Sequence, residues 1–344
     1  MDANQIPEAT RFFQRATAIR PSWSEGWWYL GTIYFDDSQF LKARDAFVHF
    51  VSVEQKQPGP GYGMLGLAEF QLKDYQKALA ALERGRELGL GSNAGFVHTA
   101  LYRDGVLNNY FGQPEIALVR LTLVANQLAA EHPEAAKDTV LSDSGLLDAL
   151  GLAALRIQKL PDEIPATKAE FIRAVGHAQA LIALQDRAAA GAELKKLVAL
   201  YSSEPGMHYD YGVYLLKEDP PSAQGEFRRE IAVSPQNAAA RIQLALEFLR
   251  LADYKQGLKY AQEAVALAPG NFVAHVACGR LWLGLGNTNR AVTELRTAVR
   301  LSPGSPDAHF ALARALSDAG QTREAAKERS EFERLKALSN AAER

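Results

Sequence analysis

The chain has 344 residues and a formal net charge of −2, which gives it no general attraction to nucleic acid or to an anionic membrane surface. A single compact core stops growing at roughly 250–300 residues, so a chain of this length is expected to form separate domains or stacked repeats. Its one cysteine, Cys278, excludes an internal disulfide, and no apolar run reaches the ~20 residues that span a bilayer.

The first predicted helix covers residues 5–19. The residues at the spacing A-x3-F-x2-A-x4-P, typical of the second helix of a repeated helix pair, are Ala9, Phe13, Ala16 and Pro21. The first helix of that pair is missing. Phe12 and Ile19 leave the helix over 5–19 apolar on several sides, whereas a terminal cap would have a polar outer face, so we expect a chain cut from a longer one. The compartment is undetermined: the lack of a secretory signal favours the cytoplasm, and a truncated N-terminus would leave the periplasm open.

Residues 24–57 carry the clearest repeat in the chain. The residues at the spacing W-x2-L-G-x2-Y and then A-x3-F are Trp27, Leu30, Gly31, Tyr34, Ala43 and Phe47. Gly31 and Ala43 are small where two paired helices cross closely, and Phe47 fills the gap between neighbouring units. The pattern predicts a helix–turn–helix unit of about 34 residues.

This pattern resembles the tetratricopeptide-repeat family, and the resemblance covers nearly the whole chain apart from about 134–167. It implies an all-α fold, a right-handed superhelical α-solenoid of about eight or nine antiparallel helix pairs. First helices would line a groove that binds peptides or partner proteins. The family's lysine and asparagine clamp for a C-terminal carboxylate is missing, since its positions hold Trp28, Thr32, Gly63 and Leu67. The run of regular repeats resembles bacterial repeat proteins that lack an attached enzyme domain.

The second and third repeats complete a predicted N-terminal array over residues 1–133. Residues 134–167 then interrupt the pattern: one unpaired helix is predicted over 141–157, and Pro161 and Pro165 exclude a regular helix after it. An extended segment over 159–167 would span ~28 Å at ~3.1 Å per residue. We therefore expect this segment to replace a missing second helix.

The C-terminal array is predicted over residues 168–344. It starts with two helices at about 168–184 and 188–201, which we expect to form a hairpin. Beyond Pro205 the repeat length is nearly constant at 34 residues. The residues predicted to be helix N-caps recur at this interval, and they are Asn237, Asn271 and Ser305. The last helix, at about 323–337, is rich in charged residues and is expected to be a solvated cap.

Three histidines could suggest a ladder of metal ligands, but His208, His275 and His309 hold the position of Trp27. Equivalent residues of adjacent repeats lie ~10 Å apart, far beyond a ~2.1 Å zinc–nitrogen bond, so we interpret them as packing residues. No G-x-S-x-G, H-E-x-x-H or G-x-x-x-x-G-K-[ST] motif occurs. We expect no catalytic residue, metal or cofactor; the alternative is an enzyme, or a metal- or small-molecule-binding protein, built on a repeat array.

The second, fifth, ninth, twelfth and thirteenth positions of each repeat are predicted to face the groove. The candidate aromatic residues there are Trp28, Phe35, Tyr102, Tyr209 and Phe310. The candidate basic residues are Lys217, Arg250, Arg280 and Arg314, and by the same count the nearby acids are Asp307 and Asp318.

Two of these arginines suggest a partner. Arg280 and Arg314 are equivalent residues of adjacent repeats, and Phe310 lies one turn from Arg314, which suits two carboxylates of an acidic peptide around an apolar residue. In the alternative, each arginine pairs with an acid of a neighbouring helix and the aromatic residues pack between helices. The predicted function is a non-catalytic scaffold that binds a protein or peptide in a groove with an aromatic-lined wall and a basic C-terminal half. An acidic partner would suit these charges, and neither nucleic acid nor a membrane span is expected.

Overall fold

A computed structural model of the chain describes residues 5–342, and every regular element in that range is helical. The chain divides into two compact units, one up to Leu197 and one from Val198 onward. The helices that begin in the first unit are α1 (Gln5–Ile19), α2 (Ser24–Asp36), α3 (Phe40–Val53), α4 (Gly59–Gln71), α5 (Tyr75–Leu88), α6 (Ala94–Tyr110), α7 (Pro114–Glu131), α8 (Ala136–Ser142), α9 (Ser144–Ala154), α10 (Ala166–Ala183) and α11 (Arg187–Leu200). Those of the second unit are α12 (Met207–Glu218), α13 (Pro220–Val233), α14 (Ala238–Arg250), α15 (Tyr254–Leu267), α16 (Phe272–Gly284), α17 (Thr288–Leu301), α18 (Pro306–Asp318) and α19 (Thr322–Ala342).

Consecutive helices pack as pairs joined by short turns, which confirms the expected all-α stack of helix pairs. The pairs of the first unit are α2–α3, α4–α5, α6–α7 and α9–α10, and those of the second are α12–α13, α14–α15, α16–α17 and α18–α19. A Cβ atom on Gly31 would lie 2.7 Å from Cε1 of Phe47. The helices can therefore cross only because this position has no side chain, as the spacing of the marker residues predicted.

The predicted helix over 141–157 is present as α9 but is shorter, Ser144–Ala154, and residues 141 and 142 belong to α8. Asp143 separates α8 from α9, and its carboxylate accepts a hydrogen bond from the backbone N–H of Leu146 at 3.0 Å, which starts a new helix. Capping by aspartate stabilises such a start because the first N–H groups of a helix have no partner inside it.

The prediction of an unpaired helix followed by an extended replacement is wrong. Helix α9 packs directly against α10, so the alternation of helices continues without a substitute. Pro161–Glu163 forms one 3-10 turn, with extended backbone at Leu160 and Ile164 on either side. The Glu163 carboxylate accepts from the N–H of Leu160 at 2.9 Å, so this segment is a short ordered connection. The irregular stretch 134–167 lies inside the first unit.

The predicted N-caps of the second unit are confirmed. Asn237 accepts from the N–H of Ala240 at 3.0 Å, and Asn271 accepts from the N–H groups of Val273 and Ala274. Ser305 Oγ accepts from Ala308 at 3.4 Å before α18. The last helix, α19, starts within one residue of its predicted start and runs five residues beyond its predicted end.

A buried carboxylate on α13 joins three helices. Glu230 has no exposed surface, and the repeat-equivalent positions hold Ala264 and Ala298, so the repeat pattern predicts a small residue there. Its Oε1 accepts from the N–H of Gly206 and from the side-chain amide of Asn237, both at 2.9 Å, while Oε2 accepts from the N–H of Tyr209 at 3.2 Å. Glu230 therefore closes the start of α12 and positions the cap of α14.

We expect Glu230→Gln to destabilise the protein by about 1–3 kcal/mol, since an amide NH₂ cannot accept from the donors that one carboxylate oxygen now serves. Chemical denaturation followed by circular dichroism measures the effect. Glu333→Gln, the same change at an exposed position of α19, should stay within about 0.5 kcal/mol. Equal stabilities of the two variants would remove the proposed role of Glu230.

Candidate functional site

A groove in the second unit lies beside the first helices of three successive repeats. Its volume is ≈ 460 Å³. Its lining residues come from α14, α15, α16 and α18, and they are Leu249, Tyr254, Arg280, Leu283, Gly284, Asp307, Phe310, Ala311, Arg314 and Asp318. Helix α16 packs between α14 and α18, so the groove runs across helices that the repeat pattern predicts to face inward.

Helix α18 supplies half of the lining from one face. Asp307, Phe310, Arg314 and Asp318 recur about once per turn and so lie along one side of the helix. Ala308, Leu312, Ala315 and Leu316 occupy the opposite side and are buried in the core with residues of α16 and α17. Because packing holds one side of α18, the polar side is presented to the groove.

The charged residues of the groove are exposed and have no ionic partner within the part of the chain that the structure describes. Neither Arg280 nor Arg314 forms an ion pair within 4.0 Å among the residues that the structure describes. The same holds for Asp307 and Asp318 over residues 5–342. The alternative in which these arginines hold the stack through acids of neighbouring helices therefore finds no support in the geometry.

An aromatic ring, that of Phe310, lies between Asp307 and Arg314 along α18. Phe310 is 55% exposed, and its only described ring contact is with Phe332 of α19, at 5.3 Å between centroids and an interplanar angle of 50°. On the other side of the groove, Tyr254 lies against α16 at Gly284, where a Cβ atom would stand 2.5 Å from the tyrosine ring. The absence of a side chain at Gly284 thus makes room for Tyr254 in the wall, a contact that the groove positions did not predict.

The other aromatic candidates lie in or against the core. Phe35 packs edge-to-face on Phe40, with 5.4 Å between the ring centroids. Tyr209 is only 7% exposed and packs on Phe227. The Tyr102 hydroxyl donates to the carbonyl of Gly145 at 3.2 Å, and burial raises its pKa to about 12. These three side chains contribute chiefly to packing.

Trp28 lines a separate cavity of ≈ 380 Å³ in the first unit, next to Phe50. Lys217 is exposed at the end of α12, and Arg250 pairs with Glu247 of the same helix at 2.9 Å. Neither of these two basic residues lines the groove. Of the nine candidate residues, the structure therefore brings together Arg280, Phe310 and Arg314.

The three repeat-equivalent histidines form a recurring hydrogen-bonded link that the sequence interpretation missed. Their Nδ1 atoms lie 2.6–2.7 Å from a glutamate of the paired helix, and their Nε2 atoms lie 2.9–3.0 Å from a backbone carbonyl oxygen. The glutamate partners of His208, His275 and His309 are Glu226, Glu294 and Glu328. Because both ring nitrogens are engaged, these histidines link the two helices of a repeat and have no free nitrogen for a metal.

Arg241 makes the corresponding link in the repeat that lies between those of His208 and His275. It donates to Glu263 at 2.9 Å and to the carbonyl of Asn237 at 3.1 Å. A glutamate 18–22 residues after each of these histidines and Arg241 was the signal available in the sequence. Burial raises the pKa of the Cys278 thiol to about 12, so this cysteine behaves as a small apolar core residue. Within residues 5–342, no three potential metal ligands cluster and no helix is long and apolar enough to cross a bilayer.

Comparisons with known proteins point to the same repeat. One tetratricopeptide-repeat profile matches residues 283–328, and a second matches residues 60–87. No curated protein sequence matched the chain.

Several solved structures are similar over about half of the chain. MamA 41-end from Desulfovibrio magneticus RS-1 is 19% identical and covers 49% of this chain and 96% of its own, with a TM-score of 0.44. YrrB, a TPR protein with an unusual peptide-binding site, is 20% identical and covers 50% of this chain and 89% of its own, with a TM-score of 0.41. The marker residues, the paired helices and the two profile matches identify tetratricopeptide repeats in this chain.

Proposed function

We propose that this protein is a non-catalytic scaffold that binds an acidic protein segment or peptide in the groove between α14, α16 and α18. The observation that carries the proposal is the pair of arginines, Arg280 and Arg314, exposed on adjacent first helices without an ionic partner in the described residues. Guanidinium groups bind carboxylates in a planar, two-pronged geometry, so they favour aspartate and glutamate side chains.

The shape and size of the groove support a peptide. A volume of ≈ 460 Å³ accommodates a few side chains, and the exposed ring of Phe310 offers an apolar contact in the same groove. Recognition by arginines around an apolar anchor is a recurring way of binding short acidic motifs. The same groove contains Asp307 and Asp318, which disfavours nucleic acid because a phosphate backbone requires a consistently basic surface.

The test is a selection of short random peptides on the immobilised full-length chain, followed by fluorescence anisotropy with a selected peptide. We expect the selected peptides to be enriched in acidic residues. Arg280→Ala with Arg314→Ala should weaken binding at least about tenfold, since hydrogen bonds to charged groups contribute about 1.5–3 kcal/mol. Binding to the wild type should weaken as salt is raised, because partly exposed charges are screened.

A matched control removes two arginines outside the groove. Arg300 on α17 and Arg323 on α19 are exposed and lie on second helices, so Arg300→Ala with Arg323→Ala makes the same charge change and should leave affinity unchanged. Both double variants should unfold within about 1 kcal/mol of the wild type. A groove variant that unfolds early yet still binds the peptide would assign Arg280 and Arg314 to structure and remove the proposed site.

A further inference from the structure

The polar face of α18 alternates in charge along the groove. Asp307 stands near the start of the helix, Phe310 one turn later, Arg314 in the third turn and Asp318 at the end. At a rise of about 1.5 Å per residue, Asp307 and Arg314 are ~10 Å apart along the axis, and Arg314 and Asp318 are ~6 Å apart. A ligand lying along α18 therefore passes an acid, an apolar ring, a base and a second acid.

The position of Asp318 is unfavourable for the helix itself. It is the last residue of α18, whose final turn contains no basic residue, and a negative charge there faces the negative end of the helix macrodipole. Arg314 precedes it by one turn, the less favourable order for an ion pair within a helix, and no ion pair forms within 4.0 Å in the described part of the chain. The stability of α18 therefore does not explain why an aspartate occupies position 318.

Asp307 differs, because it lies in the first turn of α18, where the helix macrodipole favours an acid. One of the two groove acids thus has a structural explanation, and the other does not. Asp318 lines the groove, where its charge would lie opposite a positive group of a ligand.

We propose that the groove selects a peptide in which a basic residue accompanies the acidic one, a refinement that rests on the proposed function. The acid meets Arg280 and Arg314, and the base meets Asp318. A segment of acidic residues alone would place a carboxylate against Asp318, and like charges in close contact discriminate against such a ligand.

The spacing along α18 sets the register of this ligand. An extended peptide advances about 3.3 Å per residue, so the ~6 Å between Arg314 and Asp318 corresponds to two residues. The expected motif is an acidic and a basic residue separated by one residue, with both side chains on the same side of the extended chain. An apolar residue on the other flank of the acid would contact Phe310.

The experiment repeats the selection of short random peptides on three full-length chains: the wild type, Asp318→Asn and the control Glu333→Gln, an exposed acid on α19. Peptides from the wild type and the control should be enriched in a basic residue two positions from the acidic one. Peptides from Asp318→Asn should keep the acid and lose the enrichment of the base.

A double-mutant cycle then measures the contact directly. Replacing the base of a wild-type-selected peptide by glutamine should weaken binding two- to fivefold on the wild type, the range expected for an exposed ion pair, and leave binding to Asp318→Asn unchanged. Thermal unfolding of Asp318→Asn should not occur at a lower temperature than that of the wild type, which separates a lost contact from a misfolded chain.

The outcomes distinguish this inference from the function on which it rests. Acid enrichment without base enrichment on the wild type would overturn the mixed-charge ligand and leave the acidic-peptide groove in place. Selected peptides without acid enrichment, or binding that survives Arg280→Ala with Arg314→Ala, would overturn both.

Discussion

Replacing Gly176 by alanine is expected to destabilise the protein by about 3 kcal/mol or more, at the upper end of the range for overpacking. A Cβ atom on Gly176 would overlap the carbonyl oxygen of Leu147 and lie 2.6 Å from its carbonyl carbon. On the facing helix, a Cβ atom on Gly151 would overlap the carbonyl oxygen of Ile172. Backbone meets backbone at this crossing of α9 and α10, so no side-chain rotation can relieve the clash and the helices must separate.

The expected loss of stability in Gly176→Ala is opposite in sign to the intrinsic preference of a helix, which favours alanine over glycine by about 1 kcal/mol. Gly225, inside α13, has no neighbouring atom within 4 Å of the position that a Cβ atom would occupy, so Gly225→Ala should stabilise the protein by about 0.5–1 kcal/mol. Urea denaturation followed by circular dichroism measures both variants. Similar stabilities for the two would show that α9 and α10 do not cross so closely.

Phe47→Ala is expected to cost about 3–5 kcal/mol, as do buried phenylalanine truncations in general. The ring has no exposed surface and fills the space above Gly31 between α2 and α3, in edge-to-face contact with Trp28 at 5.9 Å. The cavity cannot close easily because the helix pair is held on both sides by neighbouring helices. Leu30→Ala, in the same buried cluster, should cost about 2–5 kcal/mol.

The loss should first be local, because each unit of a repeat array contacts only its neighbours. Hydrogen exchange at the amides of α2 and α3 should accelerate strongly in Phe47→Ala, while exchange in α18 should remain near its wild-type rate. Val48→Ala, at an exposed position of the same helix, should leave both regions within about 0.5 kcal/mol of the wild type. Equal acceleration in α2 and α18 would show that the array unfolds as one cooperative body.

The sequence by itself determined the repeat architecture, the helix pairs of residues 24–131 and 207–342, and the caps Asn237, Asn271 and Ser305. These features depend on residues a few positions apart or on a recurrence every 34 residues, so they are visible in a linear pattern. The clustering of Arg280, Phe310 and Arg314 in one groove follows from the same recurrence, because equivalent positions of adjacent repeats stand side by side.

The tertiary structure decided what depends on contacts between distant residues. It pairs α9 with α10 through Gly151 and Gly176, where the weak repeat pattern predicted an unpaired helix. It buries Tyr209 against Phe227 at a position expected to face the groove, since the neighbouring helix covers that ring. It also shows that Glu230 joins three helices through its carboxylate. Periodicity specifies which side of a helix faces inward, whereas the neighbouring helices decide which side chains of that side stay accessible to a ligand.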